Sequence, residues 1–335
     1  MDFRKYRIRL FLSVFMVAVG SLLETQLFAD ENIGRSVLVV IGTPGEADYE
    51  AVFRESAERW RVACSANGSE FQLIDGTQEI TVQKDAVDAK PLDDKQRILS
   101  WASEKKLPEK WLILIGHGTS DRDATKFNLR GADISGGELA SAMKNDSDCR
   151  WLIANCGSSS APFINKLSGP NRVIVTGTKS GSEENFARFG EYFAQSISDP
   201  ECDLDHDFSV SILEAFLSAS TRVADFYSRE NRLATEQSLL DDNGDSKGTP
   251  ASFYRGARPV KQAADGQMHD GLLASKMIVS VAGKDVGLSA ELLRELEPVE
   301  LEIERLRSKK KDMDEAEYYR QLNTLFGTII KLRNL

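Results

Sequence analysis

The chain has 335 residues, of which 41% are hydrophobic and 28% are charged, and its formal net charge is −10. This composition is typical of a globular protein with one sizeable core, and it argues against extensive disorder. The excess of acidic residues argues against a nucleic-acid-binding protein, which needs Lys and Arg clustered on one face.

The N-terminal thirty residues have the pattern of a secretory signal peptide. Basic residues at positions 4, 5, 7 and 9 precede an apolar run at 10–23, and Leu27-Phe28-Ala29 ends in a small residue. The run is shorter than the roughly 20 residues that cross a bilayer, and later segments are less apolar. We therefore expect a secreted or periplasmic protein, cleaved near Ala29 and without a stable membrane span. A single uncleaved anchor is the alternative.

Short apolar runs rich in Val and Ile alternate with longer amphipathic stretches up to residue 176. We predict strands and helices from these patterns, the strands at 36–42, 71–74, 111–116, 151–155 and 172–176, and helices at 46–66 and 90–105. Strands that alternate with helices form a parallel sheet with helices on both faces. The sequence therefore predicts an α/β fold, a three-layer sandwich around a mostly parallel sheet.

The last third of the chain has a different pattern. A long helical stretch is predicted at 208–237, and a loop-rich segment follows at 241–288. Beyond it, apolar residues recur at helical spacing with a polar break at 309–312, which predicts a C-terminal helical hairpin. We divide the chain into four parts: signal peptide (1–29), α/β domain (30–240), loop-rich segment (241–288) and hairpin (289–335).

The four cysteines are Cys64, Cys149, Cys156 and Cys202. Their spacing fits neither a zinc site nor a disulfide scaffold. If one of them is a free nucleophile, the other three allow at most one internal disulfide, and the pairing stays open. We expect no metal and no cofactor.

His117 and Cys156 each follow a predicted strand directly, in the sequences LILIGHG and WLIANCG. Ligands and reactive groups gather at the carboxyl ends of the strands in an open α/β sheet. Two residues distant in sequence are therefore expected to face one cleft. Taken separately, a lone Cys fits a small buried side chain and a lone His a surface residue. The other histidines, His206 and His269, lie in polar, loop-like surroundings without a matching strand end.

A Cys and a His at one cleft suit nucleophilic catalysis. The thiolate is the reactive form, and an imidazole can take its proton and later return it to a leaving amine. His before Cys matches the order in caspases, whereas papain-type enzymes have the Cys first. The backbone N–H groups of Gly118 and Cys156 are candidates for an oxyanion hole.

Four segments carry a resemblance to a known family: VLVVIGTPGEADYE, LILIGHG, WLIANCGSSS, and VIVTGT followed by SEENFARFGEYF. In this order they resemble the legumain-like cysteine peptidases of the caspase, legumain and gingipain clan. The resemblance implies a caspase-like sheet sandwich at 30–240 that acts as a catalytic domain on a peptide or protein substrate. It also implies that His117 is the general base, Cys156 the nucleophile and Gly118 an oxyanion donor.

The chain departs from that family where the specificity pocket is expected. The resemblance places substrate-binding residues at Glu50, Thr178, Glu184, Asn185 and Glu191. Legumains carry a basic pair near the first of these positions, so the pocket is expected to be more acidic here. A desolvated carboxylate cluster favours a cationic side chain, which gives the hypothesis of cleavage after Lys or Arg. The alternative is that these Glu residues are solvated.

Two other functions, and the role of the terminal helices, stay open from the sequence. One is a catalytically inactive relative that binds peptides in the same cleft, and another is a transpeptidase or ligase that uses the same Cys–His pair. The terminal helices are either a plain hairpin, a cap on the active site or the docking element for a partner.

A calcium loop is considered at 241–252. Asp241, Asn243 and Asp245 match its opening, but Ser246 and Ser252 replace the required Gly and Glu. An Asx-rich turn fits the segment better.

Overall fold

The computed structural model describes residues 34–76, 92–104, 107–121, 124–144, 146, 148–260, 268–281 and 290–332. The predicted signal peptide and its cleavage near Ala29 lie outside the described residues. Within them, no helix is long and apolar enough to cross a membrane.

The elements of the first half follow the chain order β1 (Arg35–Ile41), α1 (Ala47–Ala66), β2 (Glu70–Ile74), α2 (Asp94–Ser103), β3 (Glu109–Ile115), β4 (Gly118–Ser120), β5 (Thr125–Phe127), β6 (Ile134–Ser135), α3 (Gly136–Ala142) and β7 (Arg150–Asn155). Those of the second half are α4 (Ile164–Leu167), β8 (Arg172–Thr176), α5 (Phe189–Ser196), β9 (Ser209–Ser211), α6 (Ile212–Arg229), β10 (Leu239–Asp241), β11 (Tyr254–Arg255), β12 (Arg258–Pro259), β13 (Ile278–Val281), α7 (Ala290–Ser308) and α8 (Glu315–Leu332). The five predicted strands and the predicted helices at 46–66 and 90–105 are confirmed to within a few residues.

In the described part of the chain, the central sheet has six strands in the order β10-β8-β7-β3-β1-β2. Every neighbouring pair is parallel except β10 and β8, which are antiparallel. The register places Val39 of β1 between Leu73 of β2 and Ile113 of β3. Because parallel strands are joined by crossovers, their carboxyl ends lie at one edge of the sheet.

Alternate residues of each strand pack on opposite faces of the sheet. Val37, Val39 and Ile41 pack with side chains of α1, α5 and α6, including Trp60 and Phe193. On the other face, Leu38 and Val40 of the same strand belong to a second core with α2, α3 and α4. Each such side chain contributes about 1.5–3 kcal/mol when fully buried. The molecule is therefore a three-layer α/β sandwich, as predicted.

The predicted long helix at 208–237 is wrong at both ends. Strand β9 occupies 209–211 and pairs with β13, and the helix begins after Ser211, which forms a capping box with Glu214. The helix ends at Arg229, and Asn231 then has a positive φ of 51°. Helix propensity continues past this point, but the left-handed residue turns the chain toward β10.

The C-terminal hairpin, formed by α7 and α8, is present as predicted. A short 3₁₀ turn at Lys310–Asp312 separates the two helices, and Leu296, Ile303 and Leu306 are buried on one face of α7. Lys276 forms an ion pair with Glu300 of α7, which links the hairpin to the segment at 241–288.

Candidate active site

His117 and Cys156 lie beyond the carboxyl ends of two adjacent parallel strands. Leu114 of β3 is paired with Asn155 of β7, so the two chains leave the sheet side by side. A Cβ atom at Gly157 would lie 3.2 Å from the backbone carbonyl carbon of His117. The segments that carry the two residues are thus in direct contact.

The His117 ring is held by a backbone carbonyl. Its Nε2 lies 3.1 Å from the carbonyl oxygen of Pro44, in the loop that follows β1. A carbonyl oxygen only accepts hydrogen bonds, so Nε2 carries the proton of the neutral ring and Nδ1 is left as the basic nitrogen. Sequence reasoning missed Pro44, because a backbone acceptor gives no side-chain signal.

A cluster of three aromatic rings packs against the His117 ring. The ring centroids of Tyr49, Phe53 and Phe186 lie 5.4, 5.6 and 5.9 Å from that of His117, all in edge-on arrangements. The edge-on contacts fix the plane of the imidazole while the Pro44 carbonyl fixes its rotation. A general base needs this kind of orientation by a third group.

The loop that carries Pro44 is itself tied to the sheet edge. Gly42 donates its N–H to Ile115 at 2.9 Å, and Thr43 donates its N–H to Asn128 at 3.1 Å. The Thr43 hydroxyl also donates to the Leu129 carbonyl at 2.9 Å. These bonds place the Pro44 carbonyl where the His117 ring meets it.

Cys156 has a different environment. Its side chain belongs to the core beneath α5 and is 3% exposed. Burial raises the pKa of the Cys156 thiol to about 12. The sulfur lies 4.0 Å from the Ala154 carbonyl, and no hydrogen bond joins it to His117 within the described part of the chain. The thiol is therefore protonated and covered in this conformation.

Both predicted oxyanion donors already have acceptors. The Cys156 N–H donates to the Leu114 carbonyl at 2.9 Å, which continues the sheet ladder. The Gly118 N–H donates to the Ser158 hydroxyl at 3.2 Å, and that hydroxyl donates to the Gly118 carbonyl at 3.1 Å. Of the two, the Gly118 amide is the easier to release, because a change of the Ser158 side-chain rotamer moves its acceptor away, whereas the Leu114 carbonyl is fixed in the sheet.

The predicted substrate-binding residues are found in three kinds of surroundings. Glu184 and Asn185 are exposed. Glu50 is paired with Arg54 at 2.8 Å, and Glu191 lies 3.9 Å from the guanidinium of Arg188. Burial raises the pKa of Glu191, and Arg188 opposes that shift. The arginines offset the negative charge that suggested a cationic substrate side chain.

Thr178 is fully buried and supports the nucleophile loop. Its hydroxyl accepts the N–H of Ser160 at 2.8 Å and that of Ala161 at 3.3 Å, and it donates to the Ser180 carbonyl at 3.2 Å. The N–H of Ser159, which has a φ of 53°, donates to the Glu183 carbonyl at 2.8 Å. In this conformation Thr178 shapes the loop after Cys156 and does not face a substrate.

One cluster of acidic side chains in the described residues has the geometry to hold a metal ion. Carboxylate oxygens of Asp203, Asp205 and Glu214 lie within 4.8 Å of one another. With Asp207, these residues occupy positions one, three, five and twelve of a calcium-loop spacing, and Phe208, at a φ of 71°, stands where that loop has Gly. Sequence reasoning missed this segment, although the spacing is visible in DLDHDFSVSILE.

The segment considered as a calcium loop at 241–252 begins with Asx turns. Asp241 accepts the N–H of Gly244 at 3.3 Å, and Asn243 accepts that of Asp245 at 2.8 Å. Asp270 accepts the N–H groups of Asp242 and Asn243 at 2.9 and 3.2 Å, which ties the turns to the segment before β13. The turn interpretation from the sequence agrees with these bonds.

The chain matches no protein-family model and none of the curated proteins. Among solved structures it is similar to the initiator caspase Dronc of Drosophila, with a TM-score of 0.42 and 11% identity, covering 64% of this chain and 81% of that one. It is also similar to caspase-1 of Spodoptera frugiperda, with a TM-score of 0.40 and 8% identity, covering 62% of this chain and 86% of that one. At these identities and TM-scores, neither similarity says what this chain does.

Proposed function

We propose that this protein is an exported cysteine endopeptidase of the caspase and legumain type, with His117 and Cys156 as its catalytic pair. His117 Nδ1 takes the proton of the Cys156 thiol, and the sulfur attacks the carbonyl carbon of a peptide bond. The carbon–nitrogen bond breaks as the imidazolium gives its proton to the departing amine, which leaves a thioester on Cys156. Water that gives a proton to His117 then attacks the thioester, releases the acid and restores the thiol.

The observation that carries the proposal is the orientation of His117 beside the strand that leads into Cys156. The Pro44 carbonyl holds Nε2 at 3.1 Å, which leaves Nδ1 as the base. The adjacent strands β3 and β7 bring the two loops into contact at Gly157. A histidine placed by packing alone needs no such acceptor at its ring nitrogen.

The oxyanion is expected to be stabilised mainly by the Gly118 amide. The Ser158 hydroxyl now accepts this N–H and also donates to the Gly118 carbonyl. A change of the Ser158 side-chain rotamer would free the Gly118 donor. Removing one such donor costs an enzyme about 10²–10³ in rate. Neither a metal nor a cofactor takes part in this chemistry.

The substrate is a peptide or protein outside the cytoplasm, and Lys or Arg before the cleaved bond is the specificity that the sequence favours. Fluorogenic peptides that differ only in this residue test it, with Lys, Arg, Asn and Asp compared side by side. Rates that are equal for Lys and Asn would remove the preference while leaving the peptidase in place.

A catalytically inactive peptide-binding protein is the second candidate, and one observation favours it. The Cys156 thiol is 3% exposed and burial raises its pKa to about 12, so the observed conformation contains no ready nucleophile. Such a protein would use the edge beside His117 to bind a peptide without forming a covalent bond.

Labelling with a peptidyl acyloxymethyl ketone separates these candidates. The purified mature protein is treated with probes that carry Lys or Asn, and mass spectrometry locates the adduct. We expect an adduct on Cys156 that disappears in Cys156→Ala and weakens in His117→Ala, while His206→Ala labels normally. Absence of an adduct before and after limited proteolysis supports the binding protein. A peptide amine added to the reaction distinguishes a ligase, because it yields a transpeptidation product.

A further inference from the structure

One short run of the chain lies against both candidate catalytic residues. The Phe186 ring is near that of His117 and stacks on Tyr49 with a centroid distance of 4.4 Å. Four residues later, the backbone of Gly190 lies on Cys156: a Cβ atom at Gly190 would be 2.7 Å from the Cys156 Cβ and 3.6 Å from its sulfur. We call residues 186–190 the cover segment.

The middle of the cover segment is held by a single carboxylate. Glu236 accepts the N–H of Arg188 on one oxygen and the N–H of Phe189 on the other, both at 3.0 Å. These two N–H groups belong to the first turn of α5, where intrahelical acceptors are lacking. Glu236 thus fixes the start of the helix that lies over the thiol.

Glu236 is itself buried and comes from another part of the fold. It is 5% exposed, and the Tyr227 hydroxyl of α6 donates to it at 3.1 Å. Burial raises the pKa of Glu236, while the bonds from Arg188 and Phe189 act in the opposite direction. The connection from α6 to β10 carries this residue, and Leu233 in that connection is 90% exposed.

Further contacts join the same connection to the loop after Cys156. The carboxylate of Glu183 accepts the N–H groups of Lys179 and Gln237 at 2.9 and 3.3 Å, and its backbone carbonyl accepts the N–H of Ser159. Arg188 also places its guanidinium 4.1 Å above the Phe226 ring of α6. The cover segment is therefore attached from the α6–β10 side.

We propose that residues 186–190 form a closed cover over the Cys156 thiol, and that Glu236 is the positioning residue that holds it closed. The role assigned to the thiol rests on the proposed function. A nucleophile that is 3% exposed cannot reach a substrate carbonyl, so the cover shifts before acylation. Glu236 does not touch the reacting atoms; it sets how often the thiol is uncovered.

Alkylation of individual cysteines in the folded protein tests the cover. The protein is treated with iodoacetamide, and mass spectrometry follows each thiol over time. In Glu236→Ala we expect the Cys156 rate to rise on the order of ten-fold, because two buried N–H acceptors are lost. Glu236→Gln should give a smaller rise, since its amide oxygen still accepts one bond.

The three remaining cysteines, each at most 3% exposed, are internal controls for loss of stability. Asp270→Ala is the matched variant, because it removes another buried carboxylate that accepts backbone N–H groups, from Asp242 at 2.9 Å and Asn243 at 3.2 Å. A rise confined to Cys156 and to the Glu236 variants supports the cover. An equal rise at all four thiols, or an unchanged Cys156 rate, overturns it.

The same reagents keep the two proposals apart. If Cys156 of Glu236→Ala is alkylated faster but never takes the peptidyl probe, the result supports the cover and contradicts the peptidase. If Cys156 of the wild type takes the probe, and Glu236→Ala leaves that rate unchanged, the result supports the peptidase and contradicts the cover.

Discussion

His117 and Cys156 leave neighbouring strands of one sheet, yet their surroundings differ in a way that bears on chemistry. The imidazole is half-buried, with a carbonyl on one nitrogen and aromatic rings at its sides. The thiol lies inside the core under α5, with its own backbone amide engaged in the sheet. In the proposed mechanism, the base is thus in position before the nucleophile is uncovered. In such an arrangement the exposure of the cysteine is the step that must change before the reaction, while the histidine is already placed.

The largest effect is expected from removing the base. In His117→Ala the rate of probe labelling or peptide cleavage should fall about 10²–10⁴-fold, the usual contribution of a positioned general base. The measurement is the second-order rate of labelling, with His206→Ala as the control. Labelling of Cys156 that does not depend on His117 would show that the ring has no part in activating the thiol.

The contact between Gly190 and Cys156 predicts a large effect on stability. In Gly190→Ala the new methyl group would lie 2.7 Å from the Cys156 Cβ, and overpacking of this kind costs about 1–3 kcal/mol. Urea unfolding gives the difference. The control is Gly137→Ala in α3, where nothing lies within 4 Å of the added atom. Equal stability of wild type and Gly190→Ala would mean that α5 does not lie against the thiol in solution.

The buried thiol also predicts how stability changes with pH. Burial raises the pKa of Cys156 from 9.0 to about 12, so above pH 9 the unfolded chain loses this proton while the folded chain keeps it. The stability that Cys156 contributes is complete below pH 9 and is lost as the pH rises toward 12, by up to about 1.4 kcal/mol per pH unit. Urea unfolding at pH 8 and pH 10 should show the wild type losing stability relative to Cys156→Ala. A constant difference would contradict the covered thiol.

The smallest effect is expected at the specificity residues. Because Arg54 already pairs with Glu50, Glu50→Gln should change the ratio of Lys to Asn peptide cleavage by less than about five-fold, in line with the small energies of exposed ion pairs. Glu184→Gln, which alters an exposed carboxylate, is the comparison. If the ratio of Lys to Asn peptide cleavage falls by much more than about five-fold in Glu50→Gln but not in Glu184→Gln, the result would support the acidic pocket that the sequence suggested.

Much of the sheet could be predicted because its strands are short apolar runs with both faces buried. WLILI and RVIVT are visible without any knowledge of their partners. The local sequence pattern gave a wrong prediction where hydrogen bonding to a distant segment decides the structure. Strand β9 is an example, because it is a strand only through its pairing with β13. The end of α6 was missed for the related reason that a single left-handed residue, Asn231, stops a sequence that could continue as helix.

The candidate site divides in the same way. The positions of His117 and Cys156 follow from strand ends, which the sequence shows. The burial of Thr178 depends on packing between segments, which the sequence does not show. The arginine partners of Glu50 and Glu191 are four and three residues away along the chain, so this spacing was readable but was not used. The spacing around Asp203 was readable, but a conformation with a positive φ at Phe208 is not expected for that residue type.

The acceptor that orients His117 is part of the main chain, and this affects how the site can change. Every amino acid supplies a carbonyl at position 44, so substitutions there alter the loop but never delete the acceptor. A scan of side chains would score Pro44 by the fit of its ring and overlook its oxygen. Substitutions at position 44 can therefore leave the acceptor of His117 in place. Only a change in the path of the loop, through Gly42 or Thr43, would remove it.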